Sequence, residues 1–153
     1  MPIKIPTRYL PKSLSRKDRK KQLNMLNKSR KLYKSHKFYT RKSLKSFKSK
    51  PSNHIQNAKR IYNIQEVYPN KELSEKTGCS LKALKKIVNK GEGAYFSSGS
   101  RPNQTAQSWG LARLASAITS GNAASVDYDI LEKGCDHKKK AFILAKRNRT
   151  NKK

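Results

Sequence analysis

The segment Tyr95–Thr119, YFSSGSRPNQTAQSWGLARLASAIT, decides the fold because it is long and nearly uncharged within a very basic sequence. Its only charged residues are Arg101 and Arg113, whereas the 153-residue chain has 37 Lys and Arg against 9 acids, a net charge of +28. Burying an unpaired charge costs several kcal/mol, so a segment packed between other elements must be nearly free of charge. We therefore predict that this segment forms the core of a folded body.

A helix is predicted from about residue 106 to residue 120 of this segment. Asn103 or Thr105 would cap its start, and Gly121 would end it. Its small side chains would allow another backbone to approach closely, and Trp109 would lie at the centre of the body. The predicted buried side consists of Trp109, Ala112, Leu114, Ala115 and Ile118.

Arg113 is the one charge within this predicted helix. We expect it to pair with Asp127, Asp129 or Glu132, or to emerge at the edge of the core. Acids grouped in this way could hold a metal or act as an acid–base pair. Asp127 fits a helix cap, however, and the other acids fit a short exposed helix. We therefore predict no catalytic residue, no metal site and no cofactor.

The fold class predicted from these patterns is α+β, mostly α. Short β segments are expected at residues 94–96 and at Ser125–Val126, because aromatic and β-branched residues favour strands. The remaining elements read as helices from the spacing of their apolar residues. The predicted architecture is a small helical body with short strands, flanked by extended and helical basic arms.

Charge is distributed unevenly along the chain. Residues 1–60 hold 20 basic residues and one acid, whereas residues 91–136 hold three basic residues and five acids. This division predicts a basic arm at residues 1–53, a compact domain at residues 54–136 and a basic tail at residues 137–153. So basic a protein is expected to bind an acidic partner: nucleic acid, anionic headgroups or an acidic protein surface.

The basic arm is predicted to lie on a partner surface. Three prolines in residues 1–14 favour an extended strap, and Ser15 followed by Asp18 indicates the start of a helix that runs to about Tyr33. This helix has too narrow an apolar stripe to be stable alone. The side chains expected to anchor the arm on its partner are Ile3, Ile5, Tyr9, Leu23, Leu26, Tyr33, Phe38, Tyr39 and Phe47.

Lysines and arginines interleaved with aromatic residues are typical of nucleic-acid contacts, because cations meet phosphates and rings stack on bases. The alternative for residues 34–53 is a solubilising, disordered linker. The residues predicted to contact nucleic acid or another acidic surface are Arg16, Lys17, Arg19, Lys20, Lys21, Arg30, Lys31, Lys34, Lys37, Arg41, Lys42, Lys45, Lys48, Lys82, Lys85 and Lys86.

The segment Asn70–Gly91, NKELSEKTGCSLKALKKIVNKG, resembles the helix-turn-helix of bacterial repressors. A first helix would end near Thr77, Gly78 would form the turn, and Ser80 would cap a second helix that Gly91 ends. Leu84 and Ile87 would face the core. The alternative is a plain helical hairpin.

Two residues depart from the repressor pattern. Ser74 stands where a small Ala is usual, and Thr77 stands where an apolar residue is usual. Apart from Lys82, the early part of the second helix lacks side chains suited to reading base edges. The segment therefore favours contact with the nucleic-acid backbone over sequence-specific recognition.

The two cysteines, Cys79 and Cys135, form no CxxC motif and have no histidine at zinc-finger spacing. We expect two free thiols in a reducing compartment. The N-terminus also lacks the apolar core of a secretory signal.

The sequence as a whole resembles a family of small basic proteins encoded by large nucleocytoplasmic DNA viruses. The segments that carry this resemblance are RYLPKSLSRKDRKKQL, KSRKLYK, LKSFKSK, TGCSLKALKKIVNKGEGAYFSSGSRPNQTAQSWGLARLASAITSG and VDYDILEKGCD. It extends over about residues 8–145 and is most specific from Thr77 to Asp136. The family is defined as a domain of unknown function, so the resemblance implies a viral, virion-associated context and supplies no catalytic residues.

Two functions follow as expectations. The first is a non-enzymatic structural protein of the virion, a minor capsid protein that binds major and minor capsid proteins, with viral DNA or inner-membrane headgroups as further partners. It would be made in the host cytoplasm or nucleus and would have no small-molecule substrate. The alternative is a non-specific DNA-binding, genome-packaging protein that uses the helix-turn-helix-like element at residues 70–91.

Overall fold

The computed structural model describes residues 5–48 and 52–151, and the side chains of all of these except residues 149–151. Within those ranges the chain is helical, with a short 3-10 turn at Thr7–Tyr9 before the first α-helix. The α-helices are α1 (Arg16–Lys34), α2 (Asn53–Tyr62), α3 (Lys71–Thr77), α4 (Leu81–Ser97), α5 (Ala106–Ile118), α6 (Asn122–Val126), α7 (Tyr128–Gly134) and α8 (Lys140–Asn151).

The predicted α+β class is wrong, because the described residues contain no strand or sheet. Residues 94–96 lie in α4 and Ser125–Val126 end α6. Helix α4 does not end at Gly91 either. A Cβ on Gly91 would lie 2.7 Å from the Cα of Gly110, so this glycine allows α4 and α5 to approach closely and does not end a helix.

The chain forms two compact units. Unit 1 comprises residues 1–50 and 92–109, and unit 2 comprises residues 51–91 and 110–153. The chain passes from one unit to the other within α4 and within α5. This division differs from the predicted arm, domain and tail, because the basic arm belongs to unit 1 together with residues 92–109.

Unit 2 has the larger core. Residues 114–118 of α5 are all buried, which explains why this part of the chain is nearly uncharged. Tyr62 at the end of α2 donates its hydroxyl to the carbonyl of Ile118, and burial raises the pKa of Tyr62. The predicted core residues Leu84, Ile87, Leu114 and Ile118 are each fully buried in this unit.

In unit 1, α1 buries a face that the sequence pattern reveals only in part. Gln22, Met25, Leu26 and Ser29 follow one another at helical spacing and are all buried. The two polar members are satisfied, since Gln22 Nε2 donates to the carbonyl of Tyr9 at 3.1 Å and Ser29 Oγ donates to the carbonyl of Phe96 at 3.0 Å. The arm is therefore folded, at least over its described residues.

Several predicted partner anchors are buried inside unit 1. Tyr9 and Leu26 lie in the interior, and Phe47 and Tyr39 pack on a small cluster of Leu14, Met25 and Leu44. These side chains have little surface left for a partner, so they stabilise the arm itself. Among the other predicted anchors, Ile5 and Leu23 are half-buried, Tyr33 and Phe38 are exposed, and Ile3 lies outside the described residues.

Trp109 is half-buried and does not lie at the centre of the body as predicted. It belongs to unit 1, where its ring meets the ring of Tyr9 edge-on, with centroids 6.1 Å apart. The prediction placed it in the same core as Leu114 and Ile118, but the boundary between the units falls directly after Trp109.

Ser15 caps α1 as predicted, since its Oγ accepts the N–H of Asp18 at 3.1 Å. The carboxylate of Asp18 does not reach back to Ser15. It accepts the hydroxyl of Ser46 at 2.6 Å and the backbone N–H of Ser46 at 2.9 Å, which lowers the pKa of Asp18 from its ordinary value of 3.8. One acid thus fixes the Lys-Ser-rich segment on the start of α1.

Leu114→Ala should lower the free energy of unfolding of unit 2 by about 2–5 kcal/mol, because it leaves a cavity in a fully packed site. Leu111→Ala, on the same helix but only partly buried, is the matched control and should cost clearly less. Chemical denaturation of both variants makes the comparison. Equal losses would mean that the buried side of α5 is misassigned.

Ser46→Ala should raise the pKa of Asp18 towards its ordinary value, because the carboxylate loses the donated hydroxyl. A carboxyl whose pKa is lower in the folded than in the unfolded state stabilises the fold at pH values above its unfolded pKa. This stabilisation is lost as the pH falls through the folded pKa. Titration of the carboxyl carbon by NMR measures both pKa values. Ser43→Ala, an exposed serine of the same segment, should leave the titration unchanged.

Candidate nucleic-acid interface

A three-residue turn, Gly78 to Ser80, joins α3 and α4. Gly78 follows α3 with φ of 82° and donates its N–H to the carbonyl of Ser74, which ends the helix in the left-handed conformation that glycine favours. Ser80 then accepts the N–H of Ala83 at 3.1 Å and so caps α4. The predicted turn and cap are confirmed.

The two departures from the repressor pattern are accommodated by hydrogen bonds. Thr77 is fully buried, and its hydroxyl donates to the carbonyl of Leu73 at 2.7 Å and accepts the N–H of Cys79. Ser74 donates its hydroxyl to the carbonyl of Cys79. Each hydroxyl satisfies a backbone group in or next to the turn, so neither polar side chain leaves its hydroxyl without a partner.

Cys79 and Cys135 form a disulfide, so the prediction of two free thiols is wrong. Cys79 lies in the turn before α4, and Cys135 directly follows α7. The two cysteines are 56 residues apart in sequence, and no sequence motif connects them. The bond attaches the turn to the connection between α7 and α8.

Backbone hydrogen bonds flank this disulfide on both sides. Ser80 N–H donates to the carbonyl of Gly134, and Asp136 N–H donates to the carbonyl of Gly78, each at 2.7 Å. A Cβ on Gly78 would lie 2.3 Å from the Cβ of Lys139, so Lys139 passes directly over the turn. The start of the basic tail therefore lies against the turn between α3 and α4.

Lys82, Lys85 and Lys86 are exposed on α4, and they form no hydrogen bond or ion pair with the described residues. Spacings of three and four residues place Lys82, Lys85 and Lys86 close together on the helix surface. We call these three side chains the α4 lysine face. Exposed lysines near the start of a helix are suited to contact phosphates.

Lys90, one turn further along α4, is held by an acid. Asp127 is fully buried and accepts Nε and Nη2 of Arg113, each at 2.8 Å, while Lys90 Nζ lies 3.3 Å from Oδ1 of Asp127. The hydrogen bonds from Arg113 to Asp127 raise the pKa of Arg113. Of the acids predicted to pair with Arg113, Asp127 is the partner.

In unit 1 the predicted basic surface residues are exposed, except for two arginines. Arg30 is half-buried and donates Nε and Nη2 to the carbonyl of Ser98, at 3.1 and 2.7 Å. The exposed ones are Arg16, Lys17, Arg19, Lys20, Lys21, Lys31, Lys34, Lys37, Lys42, Lys45 and Lys48.

Arg41 is buried, contrary to the prediction that it lies on the binding surface. Its guanidinium donates to Ser29 Oγ, to the carbonyl of Tyr95 and to Ser100 Oγ, and it lies 3.8 Å from the centroid of the Tyr95 ring. No acid contacts it among the described residues. Burial lowers the pKa of Arg41, and the hydroxyl, carbonyl and ring contacts stabilise the cation.

The described residues show no arrangement of three or more His, Cys, Asp or Glu side chains that could hold a metal ion. Asp129, Glu132 and Asp136 are exposed around α7, separate from the buried Asp127. Within the same ranges, no helix combines the length and the hydropathy needed to cross a bilayer.

Residues 6–134 match the profile of a family of unknown function, DUF5824, and the chain therefore belongs to this family. The family description names no activity, ligand or site. The chain matches no curated protein and no solved structure.

Reducing the disulfide, or replacing both cysteines in Cys79→Ala/Cys135→Ala, should lower the stability of unit 2 by about 4 kcal/mol, the chain-entropy value for a loop of this length. Chemical denaturation with and without reductant measures the loss. The double variant should be insensitive to reductant. Equal stability of the wild type in both conditions would mean that the thiols are not joined in solution.

Proposed function

For this member of the DUF5824 family we propose a non-enzymatic role: it binds double-stranded DNA without sequence preference and organises it. The observation that carries this proposal is the α4 lysine face, which is exposed and unpaired among the described residues, close after the turn between α3 and α4. Lys138, Lys139 and Lys140 add further exposed cations where the basic tail begins, against the same turn.

Contacts to the backbone are favoured over the reading of bases. A lysine acts on phosphate as a point charge, whereas base recognition uses the planar, bidentate groups of Arg, Asn and Gln. The exposed face of the first turns of α4 offers lysines and no such group before Asn89. Affinity would then come from neutralised phosphates and released counterions, so it would depend strongly on salt.

The resemblance to proteins of large DNA viruses supports a role within a virion, with the genome as the natural polyanion.

A second candidate is the minor capsid protein named above, held by protein contacts to other capsid subunits. It is favoured by Val126 and Ile143, exposed apolar side chains on the packed helices α6 and α8. Cross-linking of intact particles separates the two candidates: links to capsid protein that survive removal of the genome support the second.

Replacing the α4 lysine face in a Lys82→Ala/Lys85→Ala/Lys86→Ala variant should weaken duplex binding equally for unrelated sequences. The slope of log K against log [salt] should become shallower by about 0.9 for each phosphate that the protein no longer neutralises. Fluorescence anisotropy of a labelled duplex over a salt series gives both quantities.

A matched control removes the same charge from exposed positions of unit 2 outside residues 70–91, as Lys59→Ala/Lys133→Ala/Arg147→Ala. It should change the affinity and the salt slope much less. The proposal fails if both triple variants lose the same affinity, because binding would then depend on net charge alone.

A further inference from the structure

Three aromatic rings form a cluster in unit 1, in which Tyr33 and Phe38 are exposed and Phe96 is half-buried. Phe38 is 69% exposed, and its ring centroid lies 6.2 Å from that of Tyr33 and 5.1 Å from that of Phe96. Tyr33 is itself 36% exposed. We call these three side chains the aromatic platform. Phe38 is the most exposed large apolar side chain of the described residues, and no core packing explains its position.

The backbone holds Phe38 on this platform. At the end of α1, the N–H of Lys37 donates to the carbonyl of Leu32 and the N–H of His36 donates to that of Tyr33, each at 2.9 Å. This is the paired hydrogen bonding of a Schellman motif, with His36 in the left-handed position at φ of 59°. The motif reverses the chain and brings Phe38 back over Tyr33.

The other side of the platform is equally fixed. Phe96 lies near the end of α4, where its carbonyl accepts Ser29 Oγ at 3.0 Å. Its ring also packs edge-on against the buried ring of Tyr95, with centroids 5.1 Å apart. The rings of the platform are therefore positioned before any ligand binds, which reduces the entropy lost on binding.

Cations are close in sequence to Tyr33 and Phe38. Lys34 and Lys37 are exposed on either side of the chain reversal, and Arg30, one turn before Tyr33, is fixed on the carbonyl of Ser98. Unit 1 contains 19 Lys and Arg against two acids. Of these acids, Asp18 is bound to Ser46, and Glu92 lies four residues before Phe96.

We propose that the aromatic platform is a binding site for single-stranded nucleic acid, in which a base stacks on Phe38 and Lys34 and Lys37 contact the flanking phosphates. An exposed ring with neighbouring cations is complementary to a nucleotide, because the base presents a flat apolar face and the phosphate next to it carries a negative charge. A duplex does not satisfy this site, because its bases are already stacked on one another. The platform belongs to unit 1, whereas the α4 lysine face belongs to unit 2.

Charge complementarity selects this occupant over a protein. A protein contact would need an apolar surface with enough acids to offset the cations around Phe38, whereas each nucleotide supplies its own phosphate. Stacking tolerates any base, so the site would discriminate single strands from duplexes and not one sequence from another.

The test compares the full-length protein with Phe38→Ala, using labelled oligo(dT) and a labelled duplex in anisotropy titrations at fixed salt. Loss of one stacked base should weaken oligo(dT) binding by about 5- to 150-fold and leave duplex binding unchanged. Phe38→Trp should keep the affinity for oligo(dT), and its added indole fluorescence should be quenched on binding. Tyr68→Ala, an exposed tyrosine of unit 2, is the matched control and should match the wild type.

Unchanged oligo(dT) affinity in Phe38→Ala, or an equal loss for both nucleic acids, overturns the proposal. The proposal also fails if sedimentation shows that the wild type self-associates and Phe38→Ala does not, while both bind oligo(dT) equally. That result would make the platform a protein contact. The Lys82→Ala/Lys85→Ala/Lys86→Ala variant separates the two sites, because it should weaken duplex binding and keep the effect of Phe38 on single strands. Circular dichroism confirms that each variant is folded.

Discussion

The close approach of α4 and α5 is the constraint on which unit 2 depends. A Cβ on Gly91 would lie 2.7 Å from the backbone of Gly110 and would also press on the side chain of Arg113. Because both positions are glycine, the helices meet with no side chain between them, and α5 can be buried over five successive residues. The same contact places Arg113 beside α4, where Asp127 binds both Arg113 and Lys90.

Because the chain has few acids, most of its cations must be stabilised by groups other than carboxylates. With 9 carboxylates for 37 Lys and Arg, most cations cannot form ion pairs. The buried acid Asp127 serves two of them, while Arg30 and Arg41 are stabilised by carbonyls, hydroxyls and a ring. The three lysines of the α4 lysine face are exposed and form no ion pair with the described residues, and this uncompensated charge is what an acidic partner would neutralise.

Local signals in the sequence predicted local structure well. Ser15, Gly78 and Ser80 each act on a backbone group within four residues, so the start of α1 and the turn between α3 and α4 could be predicted. The predicted strands failed because Tyr95 and Phe96 have high strand propensity, but tertiary packing of α4 overrides it.

Long-range contacts could not be predicted from one sequence. Cys79 and Cys135 meet only through the fold, and Gln22 and Ser29 are buried because distant carbonyls accept their hydrogen bonds. The same holds for the candidate sites. The lysines of α4 follow from a helical pattern, whereas the aromatic platform depends on Phe96, which is 58 positions along the chain from Phe38.

The disulfide also has a topological consequence. The chain between its two cysteines includes the whole of residues 92–109, the second segment of unit 1. In the oxidised protein, a single peptide-bond cleavage anywhere in that segment leaves the two fragments covalently joined as one molecule.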